Sequence, residues 1–189
     1  MVAPLAPPRR RPRTARWIAG AIGLVLAVFV GVLATRDPAT TRVVDSPLLG
    51  EQAPGITGAS LLDGSTFDLA EEEGRFVLVN FFATWCQPCI AEHPDLLAFS
   101  SRHQAADDAR VVSVVFEDTV DDVRSFFEER GGDWPVIDAG SGAIVDYGVT
   151  GVPESYLIGP EGAVRAKILG GIEVDKLEAL MARAAGTGS

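Results

Sequence analysis

Cys86 and Cys89 are the only cysteines in the 189-residue chain, and they stand three apart in Trp85-Cys86-Gln87-Pro88-Cys89. Two sulfurs at that spacing can form a structural bridge, half of a metal site or a redox couple. A bridge closing so small a loop removes little chain entropy and stabilises weakly. A cross-link of that kind is better suited to being opened and closed. A zinc site needs a second pair of ligands, and only His93 and His103 are on offer. His103 lies about four helical turns from Cys86, roughly 25 Å by helical rise, and cannot join it. A weaker set of Cys86, Cys89 and His93 stays open, and with it a copper-binding assembly factor.

The redox reading has direct physics behind it. The pair falls where a buried-strand pattern gives way to a helical one. A cysteine at a helix N-terminus faces unpaired N–H groups and the positive end of the macrodipole, which favour thiolate. Cys86 is therefore expected to attack, and Cys89, one turn in and more buried, to resolve the mixed disulfide. Pro88 suits an early helical position. Glu92 follows Cys89 by three residues on the same helix face. Beside apolar strands its carboxyl is expected to hold its proton more tightly and to exchange it with Cys89; the rival reading is a solvated first-turn glutamate. His93 is expected at the surface or behind the site. In Gly151-Val152-Pro153-Glu154 the proline precedes a strand, and periodicity alone makes it a trans loop proline. No nicotinamide or flavin motif occurs, so no cofactor beyond the redox-active Cys86–Cys89 disulfide is expected.

The elements that must hold these residues can be read from period and punctuation. Ile56 to Leu69 carries Asp63-Gly64 between two short arms, a β-hairpin signal. Arg75 to Phe82 (RFVLVNFF) is an apolar run broken only by Asn80, and Val111 to Phe116 is another, as expected of strands covered on both faces. Helical spacing runs from Cys86 to about Arg102 and from Val120 to Phe127, with Asp118-Thr119 as a cap and Gly131-Gly132 as a stop. A short strand at Val136-Ile137 and one or two helical turns over Ser141 to Tyr147 follow. Glu154 to Ile158 and Ala163 to Leu169 flank a four-residue turn and form a second hairpin, and Val174 to Ala184 closes the chain as a helix. This order predicts an α/β fold: a central mixed β-sheet flanked by helices, with an N-terminal β-hairpin extension.

The ends and the charge bear on location. Trp17 to Ala34 is 18 residues without a charge, preceded by Arg9, Arg10, Arg11, Arg13 and Arg16. A helix of that length spans about 27 Å, close to the hydrocarbon thickness. The arginines belong on the cytoplasmic side and the rest of the chain outside; a cleaved signal peptide is the rival. From residue 37 onward there are ten basic and 26 acidic residues, a net 10 − 26 = −16. Such a balance excludes nucleic acid as a partner. The expected division is a cytoplasmic basic segment over 1–16, a transmembrane anchor over 17–34 and a linker over 35–46. One folded domain over 47–185 and a disordered tail over 186–189 complete it.

Taken together, Gly50-x-x-Ala53-Pro54, Leu62-Asp63-Gly64, Val79 to Cys86 with Cys89, then Glu92, Pro94 and Gly151-Val152-Pro153-Glu154 resemble a known family. This is the membrane-anchored extracytoplasmic thioredoxin-like thiol:disulfide interchange proteins of the cytochrome c biogenesis group, the ResA, CcmG/DsbE and TlpA type. The resemblance covers roughly residues 47–185. It implies a thioredoxin-like fold and a cis-proline at Pro153 that packs on the disulfide while Val152 presents its backbone to substrate. It also implies a helix kink at Pro94 and a thiol-modulating role for Glu92. Asn80 falls where cytosolic thioredoxins carry a buried aspartate, which favours the exported group. The implied activity is reduction of the haem-attachment cysteines of apocytochrome c, with electrons from a membrane thiol carrier. The same residues could instead oxidise the thiols of exported proteins, since direction depends on which redox form is stabilised. A peroxide-reducing enzyme shares the Ala53-Pro54 and Asp63-Gly64 entry but places its cysteine in a different loop context.

Overall fold

A computed structural model of the chain describes residues 13–34 and 41–186. The chain divides after residue 38 into two units. The first holds helix α1 (Arg13–Ala34). Within it, 22–31 is the longest run whose side chains are described. Among the described residues no helix is long and apolar enough to cross a membrane. Most of the basic segment, half of the linker and the end of the tail lie outside the described residues.

The second unit is built on a six-stranded sheet. Its strands are β1 (Arg42–Val44), β4 (Phe76–Phe82), β5 (Ala109–Val115), β6 (Val136–Ile137), β7 (Glu154–Ile158) and β8 (Val164–Leu169), in the order β1-β8-β7-β4-β5-β6. β4, β5 and β6 run parallel, while β7, β8 and β1 are antiparallel. A separate hairpin, β2 (Thr57–Ala59) with β3 (Thr66–Asp68), turns at Asp63-Gly64 as its sequence predicts. Gly64 there has φ +74°, a conformation that costs a glycine nothing. The helices are α2 (Gln87–His103), α3 (Val120–Arg130), α4 (Gly140–Tyr147) and α5 (Val174–Gly186).

β4 is buried at every position because both of its faces are covered. Leu78 and Phe82 join the core cluster that also contains Leu96 and Phe99 of α2, Phe126 and Phe127 of α3 and Leu177 of α5. Val77, Val79 and Phe81 point to the opposite layer, with Ile56, Phe67 and Tyr147 of α4. Alternation along β4 therefore puts Asn80 on the same face as α2. That single polar residue in an apolar strand is aimed at the helix that carries the cysteines.

Two expectations are corrected. Residues 42–44, assigned to the linker, form edge strand β1, whose register sets Val43 against Ile168. Three residues are too few for periodicity to reveal, and β8 supplies the pairing that makes them a strand. Gly186, assigned to the tail, is the last residue of α5.

Candidate functional site

The C-terminal end of β4 runs through Ala83, Thr84 and Trp85 into α2. Cys86 is the N-cap of that helix, in extended conformation, and its Sγ accepts the Cys89 N–H at 3.2 Å. The Cys86 carbonyl accepts from Ile90 N–H at 3.0 Å, the first turn of the helix. Cys86 and Cys89 are joined as a disulfide, with Cα atoms 5.2 Å apart. Both are buried, at 4% and 3% exposure, so burial does not separate them as expected. What separates them is the cap: only the Cys86 sulfur receives a helix-end N–H, so it is the one whose thiolate is stabilised.

The loop before the cysteines is held from the β5–α3 connection. Thr84 N–H donates to Asp118 Oδ2 at 2.6 Å, and Trp85 Nε1–H donates to the Glu117 carbonyl at 3.1 Å. Glu117 has φ +45°, unusual for a non-glycine residue, and the neighbouring Phe116 N–H is fixed on Phe82 O at 2.9 Å. Trp85 itself remains 56% exposed beside a buried disulfide.

Glu92 lies one turn past Cys89 and is only 2% exposed. The reading of a solvated first-turn glutamate is therefore wrong. Its Oε1 accepts Asn80 Nδ2 at 2.9 Å and its Oε2 accepts the Ile172 N–H at 2.8 Å. Burial pushes its pKa up to about 7, and nearby Asp95 pushes the same way. The two hydrogen bonds oppose the rise, because they favour the anion. Asn80 also donates to Ser155 Oγ at 3.0 Å, which ties β4, α2 and β7 together.

The Val152–Pro153 peptide bond is cis, which overturns the trans reading from periodicity and agrees with the resemblance. Val152 packs, partly buried, against the cluster that contains both cysteines. The Pro153 carbonyl accepts from Gly170 N–H at 3.1 Å. Pro94 sits inside α2.

Both histidines are buried. His93 is buried among Phe126, Phe127 and Trp134, ring to ring at 4.9, 5.4 and 5.5 Å, and its Nε2 lies 2.9 Å from Gly131 O. It is neither at the surface nor placed as a free ligand, and burial lowers its pKa. His103 is also buried, between Asp108 and Glu178 at 2.7 and 3.2 Å. Among the described residues no cluster of His, Cys, Asp and Glu is arranged to hold a metal ion. Sequence reasoning missed Ser155, Asp118 and the Ile172 N–H. None carries a local signal, because each reaches the site from a strand or loop distant in sequence.

A family model described as redoxin matches residues 48–181. The chain belongs to the redoxin family. Among curated proteins it is 31% identical over 170 residues to the thiol:disulfide interchange protein HelX of Rhodobacter capsulatus, covering 84% of this chain and 92% of that protein. It is 29% identical over 169 residues to the thiol:disulfide interchange protein DsbE of Allochromatium vinosum, with 86% and 88% coverage. Among solved structures, a thiol:disulfide interchange protein of the thioredoxin family from Chlorobium tepidum superposes with a TM-score of 0.66 at 27% identity. That match covers 75% of this chain and 99% of the other. The redoxin match, these relatives and the thioredoxin-like sheet agree with the family resemblance seen in the motifs.

Proposed function

We propose that this redoxin is an extracytoplasmic protein thiol:disulfide oxidoreductase that reduces disulfides in exported polypeptides, with apocytochrome c haem-attachment cysteines as its substrate. The observation that carries the reading is the Cys86–Cys89 disulfide at the N-terminus of α2 with the buried Glu92 carboxyl one turn behind it. The relatives named thiol:disulfide interchange proteins support the same chemistry.

In the reduced state, the Cys86 thiolate attacks one sulfur of a substrate disulfide. A Cys86–substrate S–S bond forms, the substrate S–S bond breaks, and its electron pair leaves on the departing sulfur, which takes up a proton. Cys89 then loses its proton to the Glu92 carboxylate and attacks Cys86 Sγ, forming the Cys86–Cys89 bond and expelling the second substrate thiolate. Two electrons pass to the substrate and the protein ends oxidised. Glu92, with a pKa near 7, can hold or release that proton at neutral pH. A membrane thiol carrier restores the dithiol by the reverse exchange, and the protein's own thiols suffice without a further cofactor. Residues 17–34 anchor the chain as a single-pass helix, N-terminus inside; the apolar run and its flanking arginines support this.

Expressing the Cys89→Ala chain in cells and identifying what remains disulfide-linked to Cys86 tests the reading. Apocytochrome c is the expected adduct. A broad set of secreted proteins instead, with a reduction potential in the range of strong oxidants, would assign the protein to disulfide formation.

A further inference from the structure

One end of the sheet carries a cleft that this chemistry leaves unused. It measures about 460 Å³ and is lined by Phe116, Glu117, Asp118, Asp138, Val145 and Val149 among others, none of them basic. Two of its rim residues hold the active-site loop directly: Asp118 accepts from Thr84 N–H and the Glu117 carbonyl from Trp85 Nε1–H. At the other side, Val149 leads through two residues to Val152 and the cis Pro153. The cleft is thus tied by hydrogen bonds to the loop before Cys86 and by the chain to the loop that carries Pro153.

Few large apolar side chains of this unit are exposed. Among the described residues of 41–186, the exposed large hydrophobic side chains are Val43, Trp85, Val120 and Val145. Three of the four stand about this edge: Trp85 before Cys86, Val120 at the first position of α3 and Val145 on α4, at 74% exposure. Exposed apolar groups gathered beside carboxylates mark a contact surface. A small-molecule disulfide needs no such surface. A polypeptide does, because the residues flanking its cysteine must lie somewhere when that cysteine reaches Cys86.

We propose that the Glu117–Asp138–Val145 cleft is a docking subsite that selects polypeptides bearing lysine or arginine together with an apolar residue beside the reacting cysteine. This deepens the oxidoreductase reading and rests on it. Charge complementarity decides the class: three carboxylates and no cation line the cleft, in a stretch of net charge −16 from residue 37 onward. An acidic flank would be repelled at the moment of encounter, whereas a basic one is steered in.

The test uses the reduced full-length chain and two peptides with the same internal disulfide, one flanked by lysines and one by glutamates. A small neutral disulfide serves as reference on every variant. The basic peptide is expected to react about ten-fold faster than the acidic one at low salt, and the ratio to shrink as ionic strength rises. The double variant Glu117→Lys/Asp138→Asn should abolish or invert the ratio. Val145→Lys, at an exposed position that leaves the core untouched, should move it the same way. Glu128→Lys/Glu129→Gln makes the same change in net charge farther along α3 and should leave the ratio as it is. A ratio that follows net charge alone, or no preference in the unmodified chain, overturns the subsite while leaving the oxidoreductase reading in place. Failure to reduce even the neutral disulfide overturns that reading instead.

Discussion

The Ile172 backbone N–H donates to the Glu92 carboxylate at 2.8 Å, so the loop entering α5 is pinned to the helix that carries both cysteines. Asp95, one turn further along α2, accepts the Val174 N–H at 2.9 Å and pins the next residues of the same segment. The loop also meets the cis-proline through Gly170 N–H on Pro153 O, and the chain before β1 through the Thr41 hydroxyl on Gly171 O at 2.7 Å. The buried Glu92 carboxyl is thus held from two other parts of the chain, Asn80 of β4 and the loop before α5.

That burial makes stability depend on pH. Glu92 titrates near 7 in the folded protein and at about 4.3 when unfolded. Between those values the folded state binds the extra proton, so stability falls as pH rises through the window and is flat above it. The loss amounts to about 4 kcal/mol at most. Glu92→Gln should remove this slope, measured by denaturant unfolding of the oxidised protein from pH 4 to 8. It should also slow resolution of the mixed disulfide at neutral pH by about a hundred-fold, the usual scale of lost proton transfer.

His93 acts with the opposite sign. Burial among aromatic rings lowers its pKa below the ordinary histidine value. The unfolded chain then binds the extra proton as pH falls below about 6.5, and stability drops on that side. His93→Gln should flatten the acid limb of the curve while leaving the Glu92 slope intact. An unchanged acid limb in that variant would contradict the assignment.

Asn80 supplies one of the two hydrogen bonds that hold Glu92 as an anion. Asn80→Ala leaves Oε1 without that donor and should cost about 1–3 kcal/mol at pH 8, where Glu92 is charged. The Glu92 titration should move further upward, because a bond favouring the anion is gone; following the carboxyl by NMR measures it directly. Asn80→Asp should raise it further still, by placing a second carboxylate beside the first.

The two thiols should react unequally despite their equal burial. In the reduced protein Cys86 is expected to be alkylated first, with a pKa below the free value of about 8.5. Mass mapping after brief iodoacetamide treatment across pH 5 to 9 distinguishes the sites. Preferential labelling of Cys89 would reverse their roles.

The sequence alone determined the cysteine pair, the strand–helix junction that hosts it and the order of elements. Those signals are local: a loop too small to be worth stapling, a buried-strand run and a helical period lie within a few residues of one another. Asn80 was visible as a break in RFVLVNFF, yet nothing there said that Glu92 would be its partner, 12 residues on. Only the tertiary structure decided that Glu92 is buried rather than solvated and that His93 packs among aromatic rings. It also decided that residues 42–44 complete a sheet edge and that Asp118 and Ile172 reach the site. Glu92 with Ile172, Thr84 with Asp118 and residues 42–44 with β8 are brought together from positions far apart in sequence, where burial and cross-strand pairing set the outcome and local propensity has no say. Cys86 and Cys89 could be found from the chain, which also offered a raised proton affinity for Glu92 as one of two readings; burial decided between them.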